Sequence, residues 1–546
     1  VERQKDIRKK TLLKSFSVVV VVSAGLGVAA NAQSGSVVLN DQPTRIISFE
    51  TANMYHAGSV ELNVGTQQTS PDNGTGTGNQ MYFGGGSYAP TDRLTFGVDF
   101  QNYVDPIGSE INGARPDVDM SLLALSGKYL MFSNDRVSIA AQASVESFIK
   151  LDSPLFGGSN SNVMIGSFKA PVSINVAQGL QFHVTPSVSI LPDTLSGAEF
   201  YGTIVSLGAG VSYKASERIA LYGAVDVPLS GNNSINSSGN YTKTPVWVVG
   251  GRYNVTPKAA LEAYVTNGIG ISPATSVLTY WPDGEELMAG MRLVYTPGAA
   301  RPDTYRPNIY PVTSRQRMVQ QEGFTLASAD VLEPGVLRVS GWYGSDNNAG
   351  GMFAFSPDRD AEIQVIFEQY SDSGSADANL VPTTKTRYMV GPKLRFMDQN
   401  NGDAFSLSGR LLYGRQIESK AQKLGVFYGD LTASYKTADE RLVMTASPKL
   451  GAFGDVEIAG LGLGLNYLVG DAIELMAEIT PVMADGDEAT WAAGARYNFV
   501  GSGFSVDAMA TNAIGRQGIG SMVSQGDTRF SLMLSKSFDL NGLKFY

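Results

Sequence analysis

From residue 59 onward, apolar and polar residues alternate in runs of about ten. In residues 137–146, Val137, Ile139, Ala141, Ala143 and Val145 share one parity; Ser138, Ala140, Gln142, Ser144 and Glu146 share the other. Residues 404–415 set Phe405, Leu407, Leu411 and Tyr413 against Ser406, Ser408 and Arg410. A period of two places successive side chains on opposite faces of a strand. Runs near ten residues match the length of a tilted strand that crosses a bilayer. Twelve such runs fall in 59–297 and twelve in 335–538. Alternation alone does not say which face meets water, because a soluble sandwich alternates too.

The spacing between runs is more telling. In the first half, long connections at 66–79, 104–119, 150–162, 191–202, 230–243 and 271–285 alternate with short ones at 89–93, 133–136, 177–179, 214–217 and 256–258. The second half sets 371–386, 416–423 and 515–527 against 356–360, 437–440 and 500–503. One rim of long loops and one of tight turns is the pattern of a transmembrane barrel. A sandwich has no reason to sort its connections in this way.

The halves also repeat each other. Trp247, Gly250, Arg252, Tyr253 and Asn254 recur as Trp491, Gly494, Arg496, Tyr497 and Asn498. Thr266, Asn267, Ile269 and Gly270 recur as Thr511, Asn512, Ile514 and Gly515. Leu207, Gly208, Gly210 and Tyr213 return as Leu461, Gly462, Gly464 and Tyr467, and Pro186 returns as Pro448. Shared spacing over this length predicts an internal duplication. Gly84-Gly85-Gly86 and Gly462-x-Gly464 are expected to mark bends or bulges, and the recurrent proline a kink shared by the two copies.

Composition narrows the class. Charged residues make up 17% and Gly numbers 61, with no Cys, so disulfides and thiolate metal sites are excluded. Residues 1–32 read as a secretory leader: Arg8, Lys9, Lys10 and Lys14 precede an apolar run that ends in Ala30-Asn31-Ala32. That segment carries a net +4, which leaves −14 on the remainder and argues against nucleic-acid binding. Residues 33–58 read as a periplasmic lead-in. A Pro/Arg-rich periplasmic linker, 298–334, separates the repeats 59–297 and 335–546. The linker's end, from Phe324 to Gly335, resembles Ile47 to Gly58, so each repeat is expected to keep its own lead-in. Both lead-ins look too short to form a folded plug domain.

These features give an all-β fold of about 24 strands. Two tandem twelve-stranded antiparallel barrels are favoured by the paired lead-ins, with a single 24-stranded ring as the alternative. The chain resembles bacterial outer-membrane β-barrel proteins of the porin or channel type, duplicated in tandem. That resemblance implies outer-membrane lipid and the barrel-assembly machinery as partners. It also implies a terminal aromatic assembly signal, for which Phe538 and Tyr546 both qualify.

No cofactor, metal site or catalytic constellation is expected. The two histidines, His56 and His183, have no partner motif, and the acidic groups Glu285-Glu286 and Asp485–Glu488 read as solvated loop charge. Pore-lining candidates are the charges on polar faces: Glu61, Lys128, Glu146, Arg252, Arg292, Arg338, Arg410 and Arg496. Glu61 and Arg292 are expected to form a salt bridge at the seam of the first ring. The function expected is passive diffusion of small hydrophilic solutes through the outer membrane. The alternative is a sealed barrel that acts through its extracellular loops.

Overall fold

The computed structural model describes residues 42–69, 80–296, 312–345, 348–369, 386–416, 425–453, 456–484 and 488–540. The leader and Tyr546 lie outside the described residues. The chain divides into two compact units.

In the first unit the strands are β1 (Val60–Thr69), β2 (Gln80–Thr91), β3 (Leu94–Pro106), β4 (Asp117–Ser133) and β5 (Val137–Ser153). Next comes β6, in two pieces, Val163–Lys169 and Val172–Ala177. Then follow β7 (Leu180–Ile190), β8 (Thr203–Lys214), β9 (Ile219–Ser230), β10 (Val246–Asn254), β11 (Ala259–Thr266) and β12 (Met288–Tyr295). Each pairs antiparallel with its sequence neighbours, and β12 pairs with β1, placing Tyr295 opposite Leu62 and Met288 opposite Thr69. The ring therefore closes on itself.

The second unit repeats this arrangement. Its strands are β13 (Val336–Gly344), β14 (Ala349–Asp358), β15 (Ala361–Gln369), β16 (Thr386–Met397), β17 (Ser406–Gln416) and β18 (Gly425–Lys436). They continue as β19 (Leu442–Phe453), β20 (Val456–Val469), β21 (Ile473–Thr480, extended by Val482–Ala484), β22 (Thr490–Phe499), β23 (Phe504–Ala513) and β24 (Ser524–Asp539). Here β24 closes on β13, with Val336 opposite Asp539 and Gly344 opposite Ser531. The two twelve-stranded rings close separately, and the 24-stranded alternative is not formed.

The alternation shows which solvent each face meets. Leu125 and Val145 are 56% and 60% exposed, whereas Gln142 and Glu146 on the opposite face are 3% and 1% exposed. In the second ring Leu465, Leu475, Phe530, Leu532 and Leu534 face outward, while Ser408, Arg410 and Asp507 are buried inside. A wall with its apolar side out is stable only in lipid, where closure also pairs every backbone group. Tyr129, Tyr213, Tyr435, Tyr467, Tyr497 and Phe499 stand exposed beside the short turns, as in an interfacial aromatic girdle. The described residues form two closed transmembrane β-barrel rings.

The recurrent proline interrupts the ladder to the preceding strand in both copies, because it has no N–H to give. Opposite Pro186, β6 breaks between its two pieces: Ser187 faces Lys169 and Val184 faces Val172. At Pro448 the β18–β19 pairing runs Asp430–Lys449 and then Ala433–Ala446 with nothing between. Phe538 lies in β24 opposite Leu337, facing outward.

Separate closure has a direct test. Residues 312–546 behind a secretion leader should insert as a heat-modifiable barrel without the first unit. Failure to insert while the full chain does would contradict independent closure.

Candidate functional site

The interior of each ring is a polar wall with two chain segments folded into it. One is the lead-in, entering before the first strand. The other is the last long connection, which the duplicated Thr-Asn-x-Ile-Gly motif turns inward.

The same four hydrogen bonds set that turn in both copies. Asn267 Oδ1 accepts from Trp247 N at 2.8 Å, and its Nδ2 donates to Pro245 O at 2.9 Å. Asn512 accepts from Trp491 N at 2.7 Å and donates to Ala489 O at 3.0 Å. Thr266 and Thr511 donate to the carbonyls of Trp247 and Trp491 at 2.6 and 2.5 Å. Each threonine Oγ1 also accepts the N–H two residues on, from Gly268 and Ala513, both at 3.0 Å. The Thr-Asn pair thus satisfies the neighbouring strand where the ladder stops, and the chain is free to leave the wall.

The first inward loop is held from the wall side. Glu146 accepts the Ala274 N–H at 2.6 Å and the Ser272 hydroxyl, and Lys169 donates to Ser276 at 2.7 Å. Gln101 accepts from Ile271 N at 3.0 Å. Above it, the long connections fold over the ring as a cap. Trp281 donates to the Tyr201 hydroxyl at 2.6 Å, and Phe156 sits edge-on to Phe200 with centroids 5.1 Å apart. In the second ring Arg516 N donates to Glu368 at 2.6 Å, and Arg410 donates to Gln517 at 2.9 Å.

Both lead-ins enter the lumen rather than standing outside it. In the first ring Arg45 meets Asp99 with two bonds of 2.9 Å, and Lys128 pairs with Glu50 at 2.7 Å. Lys128 also donates to the carbonyls of Thr44 and Thr51 at 2.8 and 3.1 Å. In the second, α1 (Ser314–Val319) is fixed by a capping box between Thr313 and Gln316, and its Arg315 reaches Glu474 at 2.5 Å. Glu478 then accepts three successive backbone N–H groups, from Phe324, Thr325 and Leu326, at 2.7, 2.6 and 3.1 Å. Short segments need no core of their own when the wall satisfies their backbone.

The repeated glycine pairs explain the fit. The bend or bulge expected at Gly84–Gly86 and at Gly462-x-Gly464 is not formed, because these ladders are regular, as is that of the equivalent Gly208: Gly85 faces Asn63, Gly462 faces Ser447, and Gly208 faces Thr185 and Asp226. A Cβ on Gly208 would lie 2.4 Å from the Phe49 ring, and one on Gly462 would lie 2.3 Å from Leu326 Cδ2. Phe49 and Leu326 are equivalent positions of the two lead-ins. Anchor and bare seat have been kept together in both copies.

Every candidate charge contacts this interior network. Glu61 accepts from Tyr55 at 2.7 Å. Arg292 donates to Glu262 at 2.5 Å and to Ile47 O at 3.4 Å. The expected Glu61–Arg292 bridge is not made. Arg292 stands opposite Gly65 on β1 and Glu262 on β11. Glu61 is therefore four residues, about 13 Å, further along β1. The recurrent arginines face recurrent acids: Arg252 lies 3.6 Å from Glu262, and Arg496 lies 2.7 Å from Asp507. Arg496 also donates to Glu322 O at 2.7 Å, and Arg410 meets Asp430 at 2.6 Å. Arg338 donates to Ser537 Oγ at 3.0 Å. Lys169, Lys393, Lys436, Lys449, Glu262, Glu322, Glu474 and Glu478 belong to the same network. In the sequence only inward parity marks the strand residues among them, and nothing marks Glu322, which lies in the lead-in.

His183 lies between Ser173 and Ser212, at 2.8 and 3.0 Å, with no carboxylate against it. His56 is exposed beside Asp92 at 3.7 Å.

No protein-family model and no curated protein matches the sequence. Among solved structures, the KdgM porin aligns with TM-score 0.29 and 8% identity over 43% of this chain and 98% of its own. The NanC porin aligns with TM-score 0.29 and 9% identity over 43% and 98%. A mutant of the ferric enterobactin receptor PfeA from Pseudomonas aeruginosa aligns with TM-score 0.20 and 12% identity over 88% and 81%.

Two predictions follow from the network. Asp507 is shared by Arg496 and Arg516, so Asp507→Ala leaves two buried guanidinium groups short of a counterion. It should cost about 3–5 kcal/mol, read as a lower urea midpoint; an unchanged midpoint would contradict the shared role. Burial pushes the Glu322 carboxyl up, but Lys393 and Arg410 outweigh it and hold the group below its ordinary 4.5. A depressed carboxylate stabilises fully above that ordinary value and loses its contribution as the pH falls through the lowered one. Lead-in retention should therefore be flat above pH 4.5 and weaken below it, measured by protease access to the lead-in.

Proposed function

We propose that each ring is a gated conduit for small hydrophilic solutes, closed by its own lead-in and inward loop. The observation that carries this reading is the kind of closure. The wall side chains leave room for two segments, and those segments are held by hydrogen bonds and ion pairs along a hydrophilic surface. A ring needed only as a structural element would fill its interior with wall side chains. Segments seated by polar contacts exchange with water at far lower cost than a packed apolar core. Outer-membrane transport is the coarse function; diffusion of solutes after displacement of the lead-in is the finer one.

A second reading applies to the first ring, whose long connections form a cap around Phe156, Phe200, Tyr201, Tyr280 and Trp281. That cap suits a surface-binding barrel with a permanently closed lumen.

Planar-bilayer conductance separates the two readings. The native chain should be nearly silent. Gly208→Leu, which takes the seat of Phe49 without touching a charge, should give frequent discrete steps. A silent Gly208→Leu barrel with a protease-accessible lead-in would overturn the conduit reading for the first ring and leave the loop-binding one.

A further inference from the structure

The contacts of the second lead-in describe what its empty lumen would take. Three arginines of that ring are neutralised by carboxylates outside the lead-in: Arg410 by Asp430 at 2.6 Å, Arg496 by Asp507 at 2.7 Å, Arg395 by Asp360 at 2.9 Å. Two lysines are not. Lys393 meets Glu322 at 2.7 Å, and Lys436 meets Asp330 at 3.2 Å. Both carboxylates belong to the lead-in.

Each carboxylate sits in a built seat. Glu322 accepts from Lys393 and, at 2.9 Å, from Gln364 Nε2. Asp330 accepts from Lys436 and from Ser406 Oγ at 2.9 Å, with Arg395 Nη1 at 3.9 Å. Lys393 and Gln364 are fully buried, and Lys436 is 4% exposed. The reverse loss falls on Glu478, which gives up the Phe324, Thr325 and Leu326 N–H groups but keeps the Lys449 ammonium as a charged neighbour, and on Glu474. Glu474, which binds Arg315 of the lead-in, keeps Asn498 at 2.8 Å and Arg496 at 4.0 Å on the wall. Withdrawing the lead-in thus strips two buried ammonium groups of the only carboxylates within 4.0 Å of them among the described residues. A buried charge without a partner is strongly disfavoured, so the vacated lumen is primed for anions. The first ring lacks this bias, because its lead-in brings one charge of each sign to the wall, Arg45 and Glu50.

Resting on the conduit reading, we infer that the second ring, with its lead-in displaced, binds and passes small carboxylate-bearing anions. The Lys393–Gln364 and Lys436–Ser406–Arg395 seats hold the carboxylates, and Glu322 and Asp330 are their internal stand-ins.

The chain has no cysteine, so one introduced thiol reports the lead-in alone. Ala327 is 2% exposed, and Ala327→Cys in the full-length protein should react slowly with a maleimide. Succinate should accelerate labelling by about tenfold, the change made by roughly 1.4 kcal/mol of competition; succinamide and chloride at equal ionic strength should not. Adding K393Q and K436Q should abolish the succinate effect. In bilayers, E322Q/D330N should open steps whose reversal potential in a KCl gradient shows anion preference, and K393Q/K436Q in that background should remove it. Succinate-independent labelling, or open steps without anion preference, would overturn the carboxylate seats while leaving the conduit standing. Rapid labelling of E322Q/D330N without any current would overturn the conduit itself.

Discussion

A strand in lipid has no water to satisfy its backbone, so the edges of a membrane sheet must find each other. Everything else in this chain depends on that closure. The last strand of each half meets the first strand of the same half, which fixes strand number, register and the direction of every side chain. With the apolar parity committed to lipid, the polar parity has only the lumen to face. Charges crowded into a narrow lumen must then be paired, and wall residues alone do not pair them all. The lead-in and the inward loop supply the missing partners.

Duplication conserved this solution as a unit. The Thr-Asn pair that releases the loop, the arginine facing an acid across the next strand, and the glycine seat with its apolar anchor all occur twice. They lie far apart in sequence yet describe one device: a polar ring with a stopper from each end. What changed between the copies is charge. The first lead-in is balanced, the second acidic, and the second wall keeps lysines that the lead-in neutralises.

Much of this was legible in the sequence, and the boundary of legibility has a physical cause. Alternation with period two, sorted loop lengths and the repeat gave strand count, membrane setting and separate closure, because these are local or periodic signals. The stoppers were not legible. Glu50 reaches Lys128, and Glu478 reaches the Phe324 backbone, across stretches no local pattern spans; a segment with borrowed partners carries no core to recognise. The glycine pairs were visible, but a seat and a bulge have the same sequence. Pairing Glu61 with Arg292 correctly identified neighbouring strands and failed on register, which shifts charges along a seam by whole residues and is set by the complete ring.

The claim at the centre is that a lead-in lies inside its own barrel, against the glycine seat. In a chain without cysteine, the pair Leu326→Cys and Gly462→Cys tests this in native outer membranes. Mild oxidation should link the two residues within a single chain, giving a species whose migration changes on reduction. Both cysteines remaining free and alkylated at the rate of exposed thiols, in a barrel that is still heat-modifiable, would place the lead-in outside the lumen and contradict the account.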